Sequence, residues 1–136
     1  MKSVLEFKRE RRVILKDIIK QWKKHDYNYV YTNLHKMGYS YTLDNFDRDF
    51  KKIKSEDRFS YLIYLLSKEY TPQNVILLCD LLTFTDTFFY DIHPVIHMFL
   101  KQALLEFPSD KLLLQWISCN YEGHPDSPFS KDKIGY

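Results

Sequence analysis

Thr71-Pro72-Gln73-Asn74-Val75-Ile76-Leu77-Leu78-Cys79-Asp80-Leu81-Leu82 is the stretch that decides the fold class. A threonine able to cap, followed by proline at the first helical position, marks a helix start. Val75, Ile76, Leu78, Cys79 and Leu82 then put apolar groups on more than one side. The spacing predicts a helix over 72–84 that is buried from several directions. Such a helix needs others around it. Upstream, Phe59, Leu62, Ile63 and Leu66 predict a helix over 56–69, with Ser55 as its cap. Downstream, His93-Pro94 opens a helix over 93–106 carrying Val95, Ile96, Phe99, Leu100, Ala103 and Leu104. Pro108-Ser109 ends it and caps a helix over 110–121, with Leu112, Leu113, Trp116, Ile117 and Cys119. These four helices read as two successive pairs of similar length, the layout of a short helical-repeat stack.

The N-terminal third extends the same pattern. Residues 3–24 read as one long helix with Ile14, Leu15, Ile18, Ile19 and Trp22 on an apolar stripe. Asp26 caps a helix over 26–37 bearing Val30, Leu34 and Met37, and Gly38 fits the left-handed position that ends it. Tyr39-Ser40-Tyr41 is the most strand-like stretch but is too short to support a sheet. Thr42 caps a helix over 43–54 with Leu43, Phe46, Phe50 and Ile53 on one face. Short connections make consecutive helices antiparallel neighbours. The expected fold is all-α: a compact antiparallel array of about seven helices, a HEAT-like helical-repeat stack. It forms a single domain over 1–136, with basic N-terminal helices at 3–54, paired helices at 55–121 and an irregular tail at 122–136. Gly123, Pro125 and Pro128 keep that tail from becoming helical.

Composition narrows the function. A chain of 136 residues, 45% hydrophobic and 28% charged, is long enough to bury its own core. Only three glycines argue against a glycine-rich phosphate loop. No run of 18 apolar residues predicts a membrane span. The opening Met1-Lys2-Ser3-Val4-Leu5-Glu6-Phe7-Lys8 turns charged too soon for a signal peptide, so the expected location is the cytoplasm. Aromatics reach 17%, with 11 Tyr and 10 Phe. Trp22, Phe46, Phe50, Phe59, Phe99 and Trp116 fall on helical stripes and read as core. Tyr27, Tyr29, Tyr31, Tyr39, Tyr41, Phe88, Phe89 and Tyr90 fall in or beside loops, where they suit a contact surface.

Patterns that carry chemistry are sparse. His93 and His97 share a helix face at a zinc-holding spacing, with Asp91 or His124 as conceivable further ligands. Pro94 occupies the place where a metalloprotease motif needs glutamate, and the pair reads better as ordinary helix histidines. Cys79 and Cys119 sit inside apolar helical runs and read as two buried free thiols. No nucleophile elbow, phosphate loop or dinucleotide fingerprint occurs. No catalytic, cofactor-binding or metal-binding residue is therefore assigned, and the protein is expected not to be an enzyme.

Charge is divided along the chain. Residues 1–54 carry 14 Lys and Arg against 7 Asp and Glu; residues 55–136 carry 6 against 11. The basic helix, with Lys8-Arg9-Glu10-Arg11-Arg12 and Lys23-Lys24-His25, could touch nucleic acid, with Tyr27, Tyr29 and Tyr31 placed to stack on bases. Glu6, Glu10 and Asp17 lie within reach of these cations and are expected to pair with much of the charge. In the second half, acids and aromatics share the loop Asp86-Thr87-Phe88-Phe89-Tyr90-Asp91, and Glu122 and Asp126 lie in the tail. Tyrosine flanked by carboxylates suits a basic protein partner.

That loop leading into Val95-Ile96-His97, then Leu112-Leu113-Leu114-Gln115-Trp116-Ile117, then Glu122-Gly123-His124-Pro125-Asp126-Ser127-Pro128-Phe129, resembles small all-helical, HEAT-like immunity proteins of bacterial polymorphic toxin and contact-dependent growth inhibition systems. The resemblance spans roughly residues 57–130. It implies a cytoplasmic, non-enzymatic protein that binds and neutralises one cognate toxin domain, often a basic nuclease, with no cofactor and no membrane. On this reading Asp86, Tyr90, Asp91, Glu122 and Asp126 are the expected partner contacts. The alternative is a nucleic-acid-binding regulator that uses the basic N-terminal helix.

Overall fold

The computed structural model describes residues 3–84 and 91–121. Among them the chain forms seven helices and no strand: α1 (Val4–Lys23), α2 (Tyr27–Lys36), α3 (Leu43–Phe50), α4 (Ser55–Lys68), α5 (Pro72–Phe84), α6 (His93–Glu106) and α7 (Lys111–Tyr121). Most begin as local chemistry dictates. Ser3, Asp26, Thr42 and Thr71 each accept a backbone N–H three residues on, from Glu6, Tyr29, Asn45 and Asn74, at 3.2 Å. Two expected caps are corrected. Ser55 is the first residue of α4 rather than its cap, and its hydroxyl accepts from the Arg58 guanidinium at 3.4 Å. Glu56 and Asp57 in the first turn favour this helix start instead, through the helix dipole. Ser109 gives way to its neighbour Asp110, whose carboxylate accepts from the Leu113 N–H at 3.0 Å. The third helix also stops early, at Phe50, although Ile53 beyond it is still buried.

Two helices end the same way with different residues. After α2, Gly38 is left-handed at φ 66°; its N–H donates to the His35 carbonyl, and that of Tyr39 to the Leu34 carbonyl. This is the paired-bond C-terminal motif that glycine favours. After α1 the same two bonds run from His25 to Trp22 and from Asp26 to Gln21, with His25 itself at φ 61°. A side chain at that φ crowds its own backbone, which glycine avoids.

The core has two foci. In the first, Trp22 of α1 is fully buried among Phe46 and Phe50 of α3 and Tyr61 of α4, at ring-centroid distances of 5.8, 4.9 and 4.6 Å. Its indole N–H donates to the Asp57 carbonyl at 3.3 Å. In the second, α5 packs against α3, α4, α6 and α7. Val75, Leu77, Leu78, Cys79, Leu81 and Leu82 are all buried, so this helix is enclosed on nearly every side, as its sequence predicts. Ile96, Leu100 and Ala103 from α6, and Leu113, Trp116 and Ile117 from α7, close over it.

The outer helices depart from their sequence stripes. On α7 the buried set is Leu113, Trp116, Ile117 and Tyr121, the i, i+3/i+4 face of a helix packed on one side only. Leu112 is 53% exposed and Cys119 is exposed, so the expectation of two buried thiols holds for Cys79 alone. On α1, Leu15, Ile18 and Trp22 are buried, whereas Ile14 is 41% exposed. Among the described residues no helix is long and apolar enough to cross a membrane.

Replacing His25 with glycine removes the crowding at φ 61° and keeps both backbone bonds. His25→Gly is expected to raise stability by about 1 kcal/mol, measured by urea denaturation. No gain would show that the ring contact of His25 with Tyr27 offsets the backbone cost.

Candidate functional site

Among the described residues, an open concavity lies where three chain corners converge. The α2–α3 connection supplies Gly38, Tyr39, Ser40 and Tyr41; the α4–α5 corner supplies Glu69, Thr71, Pro72, Gln73 and Asn74; the start of α7 supplies Leu112. Together they line an open cleft of about 580 Å³. Each corner follows from local sequence. Gly38 turns the chain out of α2, and Thr71-Pro72 starts α5. Asn74, buried just inside, donates its side-chain amide to the Glu69 carbonyl at 3.0 Å and locks the corner.

Tyrosines wall the cleft, and each phenol is tied down. Tyr39 donates to the Asp49 carboxylate at 3.0 Å, and its ring meets that of Tyr41 edge-on at 5.2 Å. Tyr41 and Tyr61 share a hydroxyl–hydroxyl bond of 2.8 Å, and the Tyr41 carbonyl accepts from the Gln73 amide at 3.2 Å. Burial raises all three phenols, Tyr41 to about 12. They remain protonated near neutral pH, which keeps these hydroxyl bonds in place. On the rim, the Glu69 carboxylate accepts from the Tyr31 hydroxyl at 2.6 Å, and its side chain is 35% exposed. The Nδ1 of His35 stands 3.7 Å from the same oxygen. The cleft thus offers one carboxylate beside rigid aromatic walls, a setting that suits a Lys or Arg side chain.

Asp49 anchors one wall. Arg11 of α1 and Arg48 both bond its carboxylate, at 3.1 Å, alongside Tyr39. Burial pushes this carboxyl up, but the bonds from Arg48, Arg11 and Tyr39 outweigh it and hold it below the usual carboxylate range. Asp80 is the opposite case. Burial raises it, and the bond from the Trp116 indole N–H at 2.7 Å only partly opposes that.

Of the residues expected from sequence to meet a partner, Asp86, Tyr90, Glu122 and Asp126 lie outside the described residues, as do Phe88, Phe89 and His124. Asp91 is exposed, and its carboxylate accepts the His93 N–H at 3.1 Å, at the start of α6. Other acids of this half are engaged within the fold: Asp80 faces Trp116 and Asp110 caps α7. His93 Nδ1 lies 3.0 Å from the Tyr121 hydroxyl, and the His97 ring lies 4.8 Å from the Tyr121 ring. Among the described residues, no three His, Cys, Asp or Glu side chains gather as a metal site would require.

The N-terminal tyrosines are corrected from loop surface to packing. Tyr27 meets Tyr61 and Tyr64, both at 5.9 Å, and Tyr31 meets Tyr64 at 6.4 Å. The Tyr29 hydroxyl donates to Asp17. Glu69 is the site residue that no local sequence pattern marks. Its partner Tyr31 is 38 positions away, and the only nearby signal is its place immediately before the Tyr70-Thr71-Pro72 helix start. No protein-family model, no curated protein and no solved structure matches the chain.

The two part-buried carboxylates, Asp49 and Asp80, set opposite pH dependences. Asp49, lowered on folding, contributes stability above the ordinary carboxylate value near 4 and loses it as pH falls through its folded value. Asp80, raised on folding, contributes stability below that ordinary value and loses it as pH rises through its folded value. Asp49→Ala is expected to cost about 1–2 kcal/mol at neutral pH, since the Tyr39 hydroxyl loses its acceptor while Arg11 and Arg48 stay in reach of water, the difference narrowing below about pH 4. Asp80→Asn keeps an acceptor for Trp116; it is expected to equal or exceed the parent in stability at neutral pH, and to lose any advantage in acid. Denaturation curves from pH 3 to about pH 8 check both.

Proposed function

We propose that this protein is an immunity protein: it binds one cognate bacterial toxin domain, a basic nuclease, and neutralises it by occupying its active surface. The cleft walled by Tyr39 and Tyr41, with the Glu69 carboxylate on its rim, is the observation that carries this reading. Binding by a rigid surface costs less ordering entropy than binding by a mobile one. Here the phenols are bonded to Asp49, Tyr61 and Glu69 before any partner arrives. Tyrosine supplies contact area at small entropy cost, and a half-exposed carboxylate selects a cation. A nuclease holds phosphates with lysine and arginine, so an acid that captures one of these blocks the substrate as well as the protein surface.

The acidic second half extends the same logic. An acidic field accelerates encounter with a basic toxin domain. Asp86, Tyr90, Asp91, Glu122 and Asp126 are the further contacts in this proposal, Asp91 from the start of α6. A binding role also asks nothing of Cys79, which lies buried with its thiol raised by desolvation.

The test is co-expression with the C-terminal domain of a large secreted protein encoded beside this chain's gene. A one-to-one complex and restored growth are expected. Glu69→Lys should weaken that complex at least tenfold while leaving the fold intact. A combined change of Asp86, Asp91 and Asp126 to Lys should slow association and steepen no other defect. If both variants bind as the parent does, neither the cleft nor the acidic half is the toxin-facing surface.

A further inference from the structure

The face of α1 turned away from the core is a second surface of different character. At 3.6 residues per turn, Arg9, Arg12, Lys16, Lys20 and Lys23 fall within an arc of about 80°. All five are exposed. The acids of the helix lie to one side: Asp17 is turned toward α2, where it accepts from Tyr29, and Arg11 leaves the helix surface to pair with Asp49. The expected pairing of cations with acids along the helix therefore does not extend to this row. Among the described residues none of the five has an ion-pair partner.

We infer that this row is a binding surface for the backbone of duplex nucleic acid, engaged without regard to base sequence. From Arg9 to Lys23 the row runs about 21 Å along a straight helix, at 1.5 Å per residue. Counting both strands, a duplex carries a phosphate charge about every 1.7 Å of axis, so a stretch of that length bears about twelve, roughly half of them on the side turned to the row. A rigid row of cations fits a rigid row of anions. Single strands are the poorer fit. They are held by stacking on exposed aromatics, and Tyr27, Tyr29 and Tyr31, the nearest candidates, are half-buried in packing against α1 and α4. A membrane surface is also the poorer fit. Leu15, Ile18 and Trp22 are committed to the core. The exposed Val4, Phe7 and Ile14 continue their stripe on the side of the helix opposite the row, so a helix laid on lipid by them would turn the five cations away. The row shares no residue with the tyrosine-walled cleft, and binding at one does not require binding at the other.

The experiment uses the whole chain and a labelled duplex of about 20 base pairs and mixed sequence, as DNA and as RNA, read by fluorescence anisotropy between 50 and 200 mM salt. Binding is expected at 50 mM salt, with affinity falling as salt rises on a log–log slope near −4, about 0.9 per phosphate neutralised. Arg9→Glu, Arg12→Glu and Lys16→Glu together should reduce affinity at least thirtyfold. The same charge change at Lys51, Lys52 and Lys54, exposed but off the row, should alter it less than threefold. Circular dichroism of both variants should match the parent, because every substituted side chain is exposed. The inference is overturned if neither duplex binds at 50 mM salt, or if the two triple variants lose affinity equally. Tighter binding to a single strand, or to phosphatidylserine vesicles in preference to either duplex, also overturns it.

Discussion

Trp22 is where the N-terminal half of the molecule is decided. Its indole reaches Phe46 and Phe50 on α3 and Tyr61 on α4 at once, and its N–H is spent on the Asp57 carbonyl. An indole in that position fixes the distance between three helices, because flat rings in close contact leave little room to slide. Tyr61 then passes the constraint outward. Its hydroxyl meets that of Tyr41, and Tyr41 forms a wall of the cleft. The shape of a surface feature is in this way inherited from a packing choice made in the interior.

The other half is organised by enclosure. α5 has almost no polar face, so it cannot lie on a surface, and α3, α4, α6 and α7 gather round it. Asp80 is the one charged residue of α5, and it is bonded to a neighbouring helix. A carboxylate on so apolar a helix is tolerated because the Trp116 indole reaches it, and that bond joins α7 to α5 beside their apolar contacts. The arrangement trades some desolvation of a charge for orientation of a neighbouring helix.

Local rules carried far into this structure. Asp26, Thr42 and Thr71 were legible as caps because the bond each makes is to a group three residues away. Gly38 was legible because only backbone conformation was at stake. Where two neighbours competed, as Ser109 with Asp110, adjacency alone could not choose between them. Leu112, Cys119 and Ile14 belong to apolar runs yet face outward for another reason: which stripe of an outer helix faces inward depends on where its neighbour lies, and that is not written in the helix. The cleft shows the limit most clearly. Tyr39 to Asp49 spans 10 positions, Tyr41 to Tyr61 spans 20, and Tyr31 to Glu69 spans 38. Each residue is visible as a polar or aromatic group, but the pairing exists only once the helices have packed. The aromatic surplus that suggested an exposed surface is, in the N-terminal third, mostly a half-buried layer whose hydroxyls knit helices together.

The two cysteines end in contrasting places, and this has a practical side. Cys79 is enclosed within α5, while Cys119 stands exposed on α7, in a shallow groove with Ile76, Leu112 and Trp116. Leu112 is shared with the tyrosine-walled cleft. A thiol-selective dye therefore meets one attachment point in the folded protein, one that borders the proposed docking surface and lies on a different helix from the α1 cation row. The native chain already carries a single-site reporter, and no cysteine has to be added or removed to use it.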